Sequence, residues 1–316
     1  MKRTATLIVA LFIFLCGFSQ ESKPDTVRIG IYITSIHDID FKQKEFAVNF
    51  WVWLRYKNKD FDFAQNLEVP SAKTVSKSFF IVDSSEDEIY MQMKLQCVMK
   101  DSWKIANFPF DKQKLRVSIE NSQFDSKSLI FVPDTVGEHF DKRFTMNGWS
   151  IDSCIITSGT KIYETAFGDK YAKKPQAEYS AFRVRLSVTR DAGGLFWKMF
   201  LGMYIAFLIA YICFYIHPDG IESRFGLSVG ALFAVIGNKY IIDSSLPEST
   251  SFTLVDTLHG LTLAFILSVT AASAYSMVLV KKGEVAKAKR YDMILAQALL
   301  LLYVGLNVFF IAEATS

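Results

Sequence analysis

Histidine and cysteine are scarce in this chain, four of each among 316 residues. His37, His139, His217 and His259 form no metal spacing with cysteines or acids, so no metal site is expected. No phosphate-binding glycine loop and no nucleophile elbow is evident, so neither a cofactor nor an enzyme is read from the chain. An excess of either charge is also lacking: 35 basic and 32 acidic residues give +3, with no basic stripe of the kind nucleic acid requires. Cysteine adds little. If an amino-terminal leader is removed, Cys97 and Cys154 remain in the polar half, and one disulfide or two free thiols are both open readings.

What is missing locally matters more. Charge is scattered from Glu21 to Asp191 but nearly vanishes from several long runs after Gly193. Lys2 and Arg3 precede the apolar run Thr6 to Phe14 and the small residues up to Ser19, the pattern of a signal peptide over residues 1–19. Residues 20–192 then read as an all-β, immunoglobulin-like sandwich. Val27 to Ile33, Phe46 to Tyr56, Ile89 to Met99, Leu115 to Ile119 and Phe182 to Val188 alternate or are rich in β-branched and aromatic residues. Asp83-Ser84-Ser85, Asn121-Ser122 and Ser158-Gly159-Thr160 are read as turns between strands.

Residues 193–316 read as an all-α transmembrane domain of four helices, at about 195–216, 224–243, 252–280 and 291–312. The connection Lys281 to Arg290 is strongly basic, which puts it in the cytoplasm and the sandwich on the far side of the bilayer. On the second helix, Gly226, Gly230, Phe233, Gly237 and Tyr240 recur at helical spacing. Two readings of this stripe compete: a close-packing seam, and a pore face on which Phe233 forms a dewetting constriction. Glu222 extends the face inward and Asp243 sits at its outer end, which favours the pore.

Residues 107–115, NFPFDKQKL, place a proline between two phenylalanines ahead of an acid. A proline cannot donate to a strand ladder, so an exposed turn in search of an apolar partner is expected. This segment resembles the FPFDxQ turn of the pentameric ligand-gated ion channels, the Cys-loop receptor superfamily. The resemblance extends to Arg190 before the first helix, Arg224 at the start of the second and Ser245-Leu246-Pro247 after it. Asp101 and Leu115 stand where animal members carry the bracketing cysteines, and the last two helices are joined by a short linker, which marks a prokaryotic-type member.

The resemblance implies a homopentamer in a lipid bilayer, the bacterial inner membrane, with a periplasmic ectodomain, gated by a small-molecule agonist or protons and conducting inorganic cations. It implies a gating junction in which Phe108, Pro109 and Phe110 wedge against the loop around Pro247 and Asp111 faces Arg190. The tip Ile36 to Asp40, between the first two strands, would join them. It also implies an agonist box with Trp51 on the second strand, Phe124 beyond the FPFD strand, and Tyr163, Phe167 and Tyr171 about the capping loop. One of Trp51 and Trp53 is expected to turn into the core, and Phe124 is open to a core role. Five Glu222 carboxylates at the inner mouth would favour cations. His259 and Asp256, one helical turn apart, suggest a buried pair. The alternative is a non-conducting membrane receptor or scaffold that retains the fold.

Overall fold

The computed structural model describes residues 23–85, 87–170 and 174–315. The expected leader and Tyr171 lie outside them. Nine strands follow in chain order: β1 (Asp25–Asp40), β2 (Glu45–Tyr56), β3 (Leu67–Glu68), β4 (Ala72–Ser84), β5 (Ile89–Lys100), β6 (Lys112–Asn121), β7 (Leu129–Pro133), β8 (Trp149–Tyr163) and β9 (Ala177–Arg190). They form a five-stranded sheet ordered β4-β5-β2-β1-β7 and a four-stranded sheet ordered β3-β6-β9-β8.

Alternation sets the layers. Along β2, Phe46, Val48, Phe50, Val52 and Leu54 point inward, where they meet Leu115, Val117, Ile119, Phe182, Val184 and Leu186 of the second sheet in one core. Each fully buried side chain of this kind contributes about 1.5–3 kcal/mol.

Several expectations are corrected here. Ser158-Gly159-Thr160 lies inside β8, not at a turn, and the tip Ile36–Asp40 is the end of β1, with the turn at 41–44. Trp51 and Trp53 both occupy the outer face of β2 and are half-buried. Residues two apart on a strand share a face, so neither enters the core. Cys97 and Cys154 are free thiols, and burial pushes the Cys97 thiol up to about 12.

Four helices follow: α1 (Ala192–Ile212, continued by a 3₁₀ turn Cys213–Tyr215), α2 (Ile221–Asp243), α3 (Leu254–Lys281) and α4 (Val285–Thr315). All are long and apolar enough to cross a membrane; even α2, with 23 residues, spans about 35 Å. A capping box starts α3, with the Thr253 hydroxyl accepting from the Asp256 amide and the Asp256 carboxylate accepting in return. The fourth helix begins six residues before the apolar run does. Lys287, Lys289 and Arg290 therefore sit on its first turns, and only residues 282–284 connect it to α3. Asp191 alone separates β9 from α1.

Candidate functional site

The segment 101–111 returns from β5 to β6 across the ends of the helices. Its phenylalanines find partners within the chain: Phe108 is buried with Phe41, Ile105, Phe200 and Leu258, and Phe110 lies 5.5 Å from the ring of Phe196 on α1. The expected exposed turn is thus a packed one. Main-chain bonds fix it further, since Leu254 N–H at the head of α3 donates to the Ala106 carbonyl at 2.8 Å. Asn107 Nδ2 donates to the Ala314 carbonyl at the tail of α4, at 3.2 Å. Phe108 shares a cleft with Ser245 and Leu246, while Pro247 lines the neighbouring cleft with Ile105. The segment therefore touches α1, α3 and α4 directly and meets the α2–α3 loop through Leu246 more than Pro247.

Asp111 and Arg190 form a two-pronged pair. Arg190 Nε donates to Asp111 Oδ1 at 2.7 Å and Nη2 to Oδ2 at 3.2 Å, with both side chains nearly dry. Asp111 Oδ2 accepts a further bond from Gln113 Nε2 at 2.6 Å. The guanidinium also lies 4.0 Å from the ring centroid of Trp149, 4.7 Å from Phe41 and 4.9 Å from Phe108. Charge-assisted bonds in such a desolvated cage are strong, and each aromatic face adds to them. Asp40 is at the rim of the same cleft, where its carboxylate accepts from the Gln43 amide at 2.7 Å.

The stripe on α2 turns away from the other three helices. Phe233 is 67% exposed and Tyr240 75%, and a Cβ added at Gly226, Gly230 or Gly237 would meet nothing within 4 Å. A packing seam inside the subunit is excluded by that geometry. Glu222, also exposed, stands on the first turn of the same helix. The opposite face carries Arg224, Ser228, Ala231 and Val235 into the bundle. Arg224 is fully buried, and its Nη2 donates to Asp292 Oδ2 on α4 at 2.7 Å, where Ser276 Oγ of α3 also donates, at 3.0 Å. Gly226 to Gly230 does spell Gly-x-Ser-x-Gly, but mid-helix, with Ser228 buried beside Cys213, which is no nucleophile elbow. His259 is not paired with Asp256. Its Nε2 meets Asn238 Oδ1 on α2 at 2.9 Å, and Asp256 instead binds Lys239 at 2.8 Å.

The aromatic candidates divide. Tyr163 lies edge-on to Phe167 and to Tyr179, and the three line a cleft of about 490 Å³ with Glu68, Glu120 and Asn121. Tyr163 Oη donates to Glu120 Oε2 at 2.8 Å. Glu120 is almost fully buried on β6, and its desolvation raises its pKa above the usual carboxylate range, more than the Tyr163 bond lowers it. Burial likewise pushes the Tyr163 phenol up. Phe124 packs edge-on against Phe61, 4.8 Å away, beside the sandwich core, so it takes the core role. Trp51 stands on the other sheet against Phe79 and is not brought into this cleft. Tyr179 and Glu120 were not singled out in the sequence: each stands at an alternating strand position that reads as an ordinary surface residue.

No family model matches the chain. It is 22% identical over 253 residues to a proton-gated ion channel of Gloeobacter violaceus, which covers 73% of this chain and 67% of that protein. It is also 22% identical over 269 residues to a neuronal acetylcholine receptor subunit, non-alpha-2, of Carassius auratus, covering 76% of this chain and 54% of the subunit. The chain is related to the pentameric ligand-gated ion channels. Its sandwich followed by four apolar helices is the architecture expected of such a channel, and it makes the chain a multi-pass membrane protein. For a channel of this kind, Asp111, Arg190 and Phe108 stand where the sandwich meets the helices, and the glycine and aromatic stripe of α2 is left exposed.

Proposed function

We propose that the chain is the subunit of a homopentameric ligand-gated ion channel, selective for cations and opened through its sandwich by a small ligand or by protons. The observation that carries this reading is the free face of α2. Three glycines with open space before them and two largely exposed aromatic rings, aligned along one side of an apolar helix, suit a lumen shared with neighbouring copies. Gly226, Gly230 and Gly237 leave it wide; Phe233 and Tyr240 narrow it at two depths.

Cation selectivity is supported by the two charges at the inner end. Glu222 is exposed on the lumen side, whereas Arg224 is turned into the bundle and neutralised by Asp292, so it adds no ring of positive charge. The tyrosine cleft with its buried carboxylate suits an ammonium or a proton as the opening signal, because aromatic faces attract cations and Glu120 titrates above the ordinary range. The junction of Asp40, Phe108, Pro109, Phe110, Asp111 and Arg190, with Pro247 close by, would pass that signal to the helices. The basic residues around the α3–α4 connection support a cytoplasmic position for it, which in a bacterial inner membrane would put the sandwich in the periplasm.

The test is electrical. Purified protein in planar bilayers, stepped through pH and a panel of small amines, should show unitary currents whose reversal potential in a salt gradient lies on the cation side. Silence under every condition would leave a receptor or scaffold without a pore.

A further inference from the structure

The outward face of the four-stranded sheet carries positive charge that the fold does not neutralise. Arg116 on β6 stands directly opposite Arg185 on β9, and Arg183 follows two residues along on the same face. Like charges set opposite one another destabilise a sheet, and such local conflicts persist where they serve a site. Asp101 compensates Arg116, accepting from its Nε at 3.2 Å and from Nη2. Arg183 donates to the Thr160 carbonyl at 3.0 Å. Among the described residues, no ion pair joins Arg183 or Arg185 to a carboxylate.

These arginines line a cleft of about 420 Å³ together with Lys100 and Lys161, five cations against the carboxylates of Asp101 and Glu120. Lys100 is taken by Glu45 at 2.8 Å, while Lys161 forms no ion pair among the described residues and lies over the Tyr163 ring at 5.5 Å. Gly159 in the adjoining strand leaves room for the central guanidinium, since a Cβ there would sit 3.3 Å from Arg183 Nη1.

We propose that this cleft binds a small oxoanion, a carboxylate or a phosphate, on the planar forks of Arg183 and Arg185, with Lys161 as the third cation. Guanidinium forks match two oxygens on one centre, which a spherical halide cannot offer. The cleft shares Pro70, Glu120 and Tyr163 with the aromatic one, so an anion held here lies next to the groups of the capping hairpin. The site lies wholly on the sandwich and requires no conducting pore.

Full-length protein in detergent, titrated calorimetrically with sodium acetate and separately with sodium phosphate at constant ionic strength in sodium chloride, tests this directly. Saturable binding is expected in at least one arm, and the arm that binds separates carboxylate from phosphate. Arg183→Gln and Arg185→Gln should each weaken it about tenfold or more, the loss of one charge-assisted fork. Lys112→Gln and Lys114→Gln, on the same face but outside the cleft, should leave it unchanged. Thermal unfolding in the same buffers gives a second readout. The anion should raise the midpoint of the wild type and not that of the double variant, whose own midpoint without anion should be no lower, because a charge conflict has been removed. Heats equal to the chloride control in both arms, or undiminished affinity in the double variant, overturn the proposal, whatever the currents show.

Discussion

Arg224 and Asp292 are 68 positions apart in sequence, yet they form a buried ion pair, Nη2 to Oδ2 at 2.7 Å, between the second and fourth helices. Both charges have left water, so breaking the pair is costlier than removing it altogether. Asp292→Ala should lower stability by about 3–5 kcal/mol by stranding a buried guanidinium, whereas Arg224→Met combined with Asp292→Leu should be much milder. Thermal unfolding of the detergent-solubilised protein compares them. A single variant as benign as the double would mean that the charges are solvated after all.

At the junction, Asp111→Asn and Arg190→Gln should each abolish the response to ligand or pH while leaving assembly intact. Exchanging the charges, Asp111→Arg with Arg190→Asp, should recover little. Three aromatic faces surround position 190 and suit a cation there, so an aspartate would be repelled by the rings that hold the arginine. Current amplitude at saturating stimulus, normalised to surface-labelled protein, measures both; full recovery by the exchange would show that the rings are bystanders.

Phe233 is proposed as the resting constriction. Spontaneous current without stimulus should rise from wild type to Phe233→Ala to Phe233→Ser, since alanine removes the apolar barrier and serine also retains water in the neck. The folded subunit should lose little stability by either change, because the ring is 67% exposed. Variants as silent as wild type that still open on stimulation would place Phe233 against a neighbouring helix.

Glu120 gives a pH dependence whose sign follows from its environment. Its pKa is raised chiefly by burial, from an ordinary value of 4.5, so the folded state favours the protonated acid. The stability this contributes is complete below pH 4.5 and is lost as pH rises through the raised value. Glu120→Gln should flatten the unfolding midpoint across that window. If the slope survives the substitution, another group sets it.

The four helices were legible because charge disappears from long runs, and the stripe on α2 because glycine and aromatic residues recur at helical spacing. The start of α4 was not, since Lys287, Lys289 and Arg290 interrupt the apolar run while remaining good helix formers. Strand β4 was missed because it is an edge strand with almost no buried face and hence no alternation. Arg224 was legible as a charge beside the pore, but its partner was not: a lone acid near a span's end reads as a boundary, and only the packing of α4 against α2 and α3 shows it as a counter-ion. The tyrosine cleft was partly legible through Tyr163, while Glu120 and Tyr179 join it only through the pairing of β6, β8 and β9.

The passage from sheet to helix occupies one residue, Asp191. With Arg190 clamped on one side and Phe196 packed under Phe110 on the other, the linkage has no slack. A tilt of the four-stranded sheet therefore cannot be absorbed by an intervening loop and has to appear as a displacement at the head of α1. In mechanical terms the sandwich and the first helix behave as one crank, and the α2–α3 loop, nine residues longer than this link by its 244–253 span, is where play in the mechanism resides.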